Sequence, residues 1–200
     1  ELPLSPGIRD IVARRLDRLT LDCQGVLHLA ALFDRAFDVR LLLAAVEIDV
    51  GRLLDLLTEA LENRLIEPDG TPGRFRFTHP LTRQLIVAEL GEARRLALHQ
   101  KIAHALERVD TAVIPLSEVA YHYAQAAALG EADKAVAYAR KAGESAMAQC
   151  GFEDAAAHFQ RAVDLLPLVE ADQRSWAETA LGLRESAGDA LLAAARPGDA

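Results

Sequence analysis

Apolar residues return every third or fourth position along most of this chain, the spacing of one face of an α-helix. Ser5 and Pro6 open the first such run, with Ser as the N-cap and Pro at the first helical position. Ile8, Ile11, Val12, Leu16 and Leu19 then recur at helical spacing, while Arg9, Arg14, Arg15 and Arg18 fall mostly off that face. Thr20 is placed to cap a second helix running to about Phe33, with Asp22 in its first turn. Asp38 caps a short third helix through Val46, and Asp49 a fourth that ends near Arg64.

The period changes after Arg64. Leu65-Ile66-Glu67 runs into Pro68-Asp69-Gly70-Thr71-Pro72-Gly73, a dense turn signal, and Arg74-Phe75-Arg76-Phe77 alternates polar with apolar. This predicts a small β-hairpin near residues 65–78. Helices follow at about 80–90 and 92–109, and then at 116–129, 131–149, 152–166 and 170–195, broken at Gly130, Gly151 and Pro167. The fold class expected is mainly α. Residues 1–90 form a module of helices followed by a hairpin, the element order of a winged helix. Residues 91–114 make a connecting helix, and 115–200 form antiparallel helical hairpins.

Within those hairpins a repeat is visible. Gly143, Ala155, Phe159, Ala162 and Pro167 follow the tetratricopeptide spacing: a Gly, then twelve residues on Ala-x3-Phe-x2-Ala-x4-Pro. The small residues let two helices approach, the Phe fills the groove between them, and the Pro stops the second helix. The same twelve-residue interval recurs from Gly188 to Ala200, 45 residues along. Ala135, Ala139 and Ala142 form a weaker copy within 116–149. Such repeats bury their faces only by stacking, so an array ending here and a start without Met or a basic leader both suggest a piece of a longer chain. Exposed repeat ends make self-association an expectation too.

Composition sharpens this picture. Half of the residues are apolar and only 5% are aromatic, with Ala and Leu, the strong helix formers, in the majority. A net charge of −8 argues against a general nucleic-acid or anionic-membrane surface, which needs clustered cations. No apolar run reaches the ~20 residues that a membrane-spanning helix requires. Cys23 and Cys150 lie far apart and in no metal-like spacing, so two free buried thiols in a reducing, cytoplasmic setting are expected.

The chemistry that would make an enzyme is missing from the pattern. The three lysines, Lys101, Lys134 and Lys141, never follow a Gly, so the chain holds no phosphate-cradling P-loop. His99 and His104 stand about 140° apart on a helix and would not share a metal. His28, His122 and His158 sit singly within helical patterns, and no Ser lies in a nucleophile-elbow context. No catalytic residue, metal or cofactor is expected within the chain.

Residues 74–90, Arg-Phe-Arg-Phe-Thr-His-Pro-Leu-Thr-Arg-Gln-Leu-Ile-Val-Ala-Glu-Leu, follow the hairpin directly. Near the start stands Pro6-x-x-Arg9-Asp10-x-x-x-Arg14-Arg15-Leu16-Asp17-Arg18-Leu19. Together and in this order they resemble the segment that follows the ATPase core in STAND-type signalling ATPases, above all the large LuxR-family transcriptional regulators and the related cyclase-linked ATPases. The resemblance runs from about Leu2 to Ala200. It implies a winged helix followed by tetratricopeptide-like repeats, an upstream ATPase domain as partner, and ADP or ATP with Mg bound by the parent protein. It also implies a protein or small-molecule effector on the repeats and DNA contact only through a separate domain.

In that family a His just after the hairpin reaches a phosphate of bound nucleotide. His79 stands at the matching position, with Thr78 and Pro80 where the family motif has Met and Asp, and Arg83 continues the pattern. An imidazole at a helix N-terminus suits phosphate oxygens physically. Arg9, Arg14, Arg15 and Arg18 form the one basic cluster, expected to be a solvated face or an interdomain contact. Two alternatives remain: a tetratricopeptide scaffold with no nucleotide link, and a winged-helix DNA-binding module. In the latter the recognition helix would be about 49–64. Its Asp49, Asp55, Glu59 and Glu62 against Arg52 and Arg64 carry the wrong sign for phosphate.

Overall fold

The computed structural model describes residues 6–33, 36–109, 114–170 and 173–195, with the backbone alone at 6–9 and 173–175. Ser5 and Ala200, and the side chain of Arg9, therefore lie outside the described residues. The fold is mainly α with a small antiparallel sheet. The chain divides into two compact units, Glu1–Leu98 and His99–Ala200.

In the first unit the caps expected from the sequence set the helix boundaries. Helix α1 spans Pro6–Leu16 and α2 spans Leu21–Ala30, where the Thr20 hydroxyl accepts from the Cys23 amide. Asp38 accepts from the Arg40 amide at the start of α3 (Val39–Ala45), and Asp49 from the Arg52 amide at the start of α4 (Val50–Glu62). Each cap satisfies an amide that the helix itself leaves without a partner. Helix α5 spans Pro80–Glu89, and α6 (Glu92–Glu107) carries the chain across the division between the units.

The sheet is larger than a hairpin. Strands β2 (Ile66–Pro68) and β3 (Arg74–Phe77) pair antiparallel as expected, but β1 (Ala36–Asp38) pairs with the other edge of β3, giving the order β1-β3-β2. Three residues cannot display a period of two, so β1 gave no signal of its own. Phe37 sits opposite Phe75, with ring centroids 6.1 Å apart, and 5.9 Å from Phe77. Phe37 and Phe77 join Leu27, Leu42, Leu53, Leu57, Leu65, Ile66 and Ile86 in the buried core.

The second unit is a row of antiparallel helices: α7 (Leu116–Gln125), α8 (Ala132–Ala148), α9 (Phe152–Leu165) and α10 (Gln173–Ala194). Short 3-10 turns at Ala127–Leu129 and Leu166–Leu168 finish α7 and α9. Gly130 closes the first of these with a left-handed backbone, φ +85°, which a side chain would strain. Helix α8 packs against both α7 and α9, and α10 packs against α9. No helix among the described residues is long and apolar enough to cross a membrane.

Candidate functional site

The junction of β3 and α5 carries the residues singled out for phosphate. His79 is the N-cap of α5; its Nδ1 accepts from the Leu81 amide at 3.1 Å, ahead of Pro80 at the first turn. A neutral imidazole that accepts at Nδ1 carries its proton on Nε2, so this exposed side chain keeps a donor for an anion at the helix N-terminus.

Arg83, one turn further on, is half-buried, and its Nε–H is shared between the carbonyls of Ala31 and Phe33 at 2.8 and 2.9 Å. It thereby secures α5 to the end of α2, where those carbonyls lie beyond the last helical turn. Both Arg83 and Arg76 line a cleft of about 560 Å³ with Glu67, Thr78, Pro80 and Gln84. Arg76 is held there by Glu67, through Nε at 2.9 Å and Nη2 at 2.7 Å. Thr78 ties the cleft wall to the end of α4 by donating its hydroxyl to the Arg64 carbonyl at 3.0 Å.

The basic cluster of α1 is divided. Arg15 donates to the Arg64 carbonyl at 3.2 Å, while Arg14 and Arg18 are exposed. Arg64 is, among the described residues, one of two other than glycine with positive φ (53°), so two donors hold the carbonyl of a strained position. On α4, Arg52 is paired with Asp22 at 2.6 Å, and Asp55 and Glu62 are exposed on the solvent face with Val50 and Leu54.

The repeat residues of the second unit meet. A Cβ placed at Gly143 would stand 2.7 to 2.8 Å from three ring carbons of Phe159, so α8 and α9 touch through the bare backbone of one and the aromatic ring of the other. Ala155, Phe159 and Ala162 are buried, with Ala139 of α8 in the same cluster, and Pro167 lies in the turn that ends α9. Among the described residues, no atom beyond the backbone of α10 itself lies within 4 Å of the corresponding position at Gly188.

Several polar contacts were not foreseen from the sequence. Glu107 accepts from the Tyr123 hydroxyl at 2.6 Å, Lys134 Nζ at 2.8 Å and the Tyr138 hydroxyl at 3.1 Å, so one carboxylate ties α6, α7 and α8. Burial pushes that carboxyl up, but the three donors outweigh it and hold it at about 2. Tyr123 and Tyr138 stack with centroids 5.2 Å apart. Glu131 meets His104 at 2.7 Å and Gln100 at 2.9 Å. His99 and His122, both buried, share a hydrogen bond between their Nδ1 atoms at 2.9 Å. The hydrogen-bonded partners lie 16 to 31 residues apart, beyond the reach of any local spacing rule.

Of the two cysteines expected to be buried, only Cys23 is. Its thiol donates to the Leu56 carbonyl at 3.3 Å, and burial, aided by Glu59, pushes it up to about 12. Cys150 is exposed in the α8–α9 turn, beyond the end of α8, where φ is +58°. Among the described residues no three His, Cys, Asp or Glu side chains are grouped to hold a metal ion. No protein-family model, curated protein or solved structure matches this chain.

Proposed function

We propose that this chain is a regulatory and protein-interaction segment of a larger ATP-dependent signalling protein of the LuxR-type regulator class, coupling nucleotide state to signal sensing, with no catalytic site of its own. The observation that carries the reading is the seat of Phe159 against Gly143. It is the contact the tetratricopeptide spacing requires, and stacked helical hairpins of that kind serve as surfaces for other molecules. Support for the nucleotide link is narrower: it rests on His79, whose Nδ1 is engaged as a cap while Nε2 points a donor outward from the start of α5. Arg83 contributes by bracing that helix through its bonds to Ala31 and Phe33.

The scaffold reading, repeats without a nucleotide link, draws on the same Gly143–Phe159 contact and differs only in what His79 does. A DNA-binding role is disfavoured by α4, whose Arg52 is neutralised by Asp22 and whose solvent face carries Asp55 and Glu62.

The test begins with the reading frame around this segment. A Gly-x4-Gly-Lys-Ser/Thr loop upstream is the expected outcome, and its absence leaves the scaffold reading. With the loop present, ADP retention by the parent protein is compared for wild type, His79→Asn and His79→Ala. Asn keeps the helix cap but not the imidazole donor, so loss of retention in both variants supports the sensor role. Retention unchanged in His79→Asn removes it.

A further inference from the structure

Arg83 is a half-buried cation without a counter-ion among the described residues. Of its N–H donors, the one on Nε is shared between the carbonyls of Ala31 and Phe33. The donors on Nη1 and Nη2 have no protein acceptor among the described residues. A charge partly removed from water and left unpaired costs free energy, which an anion offsets. The two carbonyls also hold the guanidinium in place, so its outer fork is ordered before any ligand arrives.

The cleft that Arg83 lines has a volume of about 560 Å³, within the range of roughly 300–1,000 Å³ usual for small-molecule sites. Arg76 lines it as well. It stands opposite Glu67 in the β2–β3 ladder, and its bonds to that residue, from Nε and Nη2, both end on Oε1. Phe77 and Pro80 give the cleft an apolar wall, and Gln84 brings an exposed amide to it.

We propose that this cleft binds a small monocarboxylic acid with an apolar body, the carboxylate on the Arg83 fork and the body against Phe77 and Pro80. The charged groups of the lining are two guanidiniums and one carboxylate, a net charge of +1. That balance suits a single negative charge. A phosphate monoester carries about −1.5 to −2 at pH 7 and would bring the excess beside Glu67. A planar carboxylate also meets a guanidinium fork through two parallel hydrogen bonds. The site rests on Arg83, Arg76 and the cleft and takes nothing from His79, so failure of the nucleotide reading leaves it intact.

The test titrates the full chain with benzoate and follows the Nε–H signal of Arg83 by NMR. Benzoate should shift that signal with a Kd on the order of 1 mM, as befits so small a ligand. Benzamide, the same shape without the charge, should bind at least tenfold more weakly. Gln84→Glu adds a negative charge at an exposed position and should weaken benzoate binding at least fivefold, with thermal unfolding as in the wild type. Arg83→Lys keeps the charge but not the fork and should weaken binding by a similar factor. No shift with benzoate, equal binding of benzoate and benzamide, or benzoate binding unchanged in Gln84→Glu overturns the proposal. Inorganic phosphate or ADP moving the same signal at lower concentration than benzoate also overturns it, since the cleft would then be a phosphate site.

Discussion

Gly143 and Phe159 are in contact so close that a methyl group on the glycine would stand 2.7 Å from the ring. Neither helix can yield cheaply, because Phe159 lies in the buried cluster that α9 shares with α8 and α10. Gly143→Ala should therefore lower the stability of the second unit by about 1–2 kcal/mol: the overpacking cost, typically ~1–3 kcal/mol, exceeds the ~1 kcal/mol that alanine returns in helix propensity. Gly188→Ala should be neutral or stabilising by up to ~1 kcal/mol, since its Cβ meets no neighbour among the described residues. Urea denaturation of the two variants checks both signs. Equal effects at the two positions would mean that the ring does not sit where it is described.

That contact was legible in the sequence because it is written in local spacing. The glycine and the Ala-x3-Phe-x2-Ala run stand on consecutive helices joined by a short turn, so periodicity alone brings them together. The caps Thr20, Asp38 and Asp49 were legible for the same reason: each acts on an amide two or three residues away. Strand β1 was not, because Ala36–Asp38 is shorter than one full alternation and is ordered by its pairing with β3. Nor were the Glu107 cluster and the His99–His122 pair, whose members meet only once helices have stacked. Within the candidate site, the sequence placed His79 at a helix start. It held no sign that Arg83 spends its Nε on two carbonyls some 50 residues upstream.

The two thiols should separate cleanly in a labelling experiment. Cys150 is exposed, whereas Cys23 is buried, donates to the Leu56 carbonyl, and is pushed up to about 12. The thiolate is the reactive form, so at pH 8 a disulfide reagent should titrate one thiol per chain quickly and the second only on unfolding. Replacing Cys150 by Ser should abolish the fast phase and leave the slow one. Two fast equivalents in the native protein would contradict the placement of α2 against α4.

Glu107 gives the second unit a defined acid sensitivity. Its carboxyl lies below the ordinary 4.5, at about 2, with burial opposing the shift and Lys134, Tyr123 and Tyr138 producing it. A depressed folded value means that the charged form is favoured by folding. The stabilisation is fully present above about 4.5 and is lost as pH falls through the folded value near 2. Glu107→Gln should cost on the order of 1 kcal/mol at pH 7, the net worth of a typical hydrogen bond. It should also flatten the decline in stability between pH 4.5 and 2, the interval set by the two values. Denaturation midpoints at pH 7, 4, 3 and 2 for both proteins measure the difference, and parallel curves would count against the cluster.

His79 has a structural role that can be measured apart from any ligand. Its Nδ1 accepts from the Leu81 amide, so His79→Ala leaves that amide with no side-chain partner at the start of α5. Loss of a helix N-cap typically costs ~0.5–2 kcal/mol, and the first unit should lose about 1 kcal/mol in denaturant unfolding. His79→Asn, whose side-chain oxygen caps as well as any, should recover most of that loss. The pair matters because it divides two functions of one side chain: a stability difference between Ala and Asn reports the cap, which needs only an acceptor. Any property lost equally in both variants reports the outward Nε2 donor, which neither Ala nor a capping Asn supplies in that direction. If Asn fails to restore stability, the imidazole is not the cap and its Nδ1 is available for other contacts.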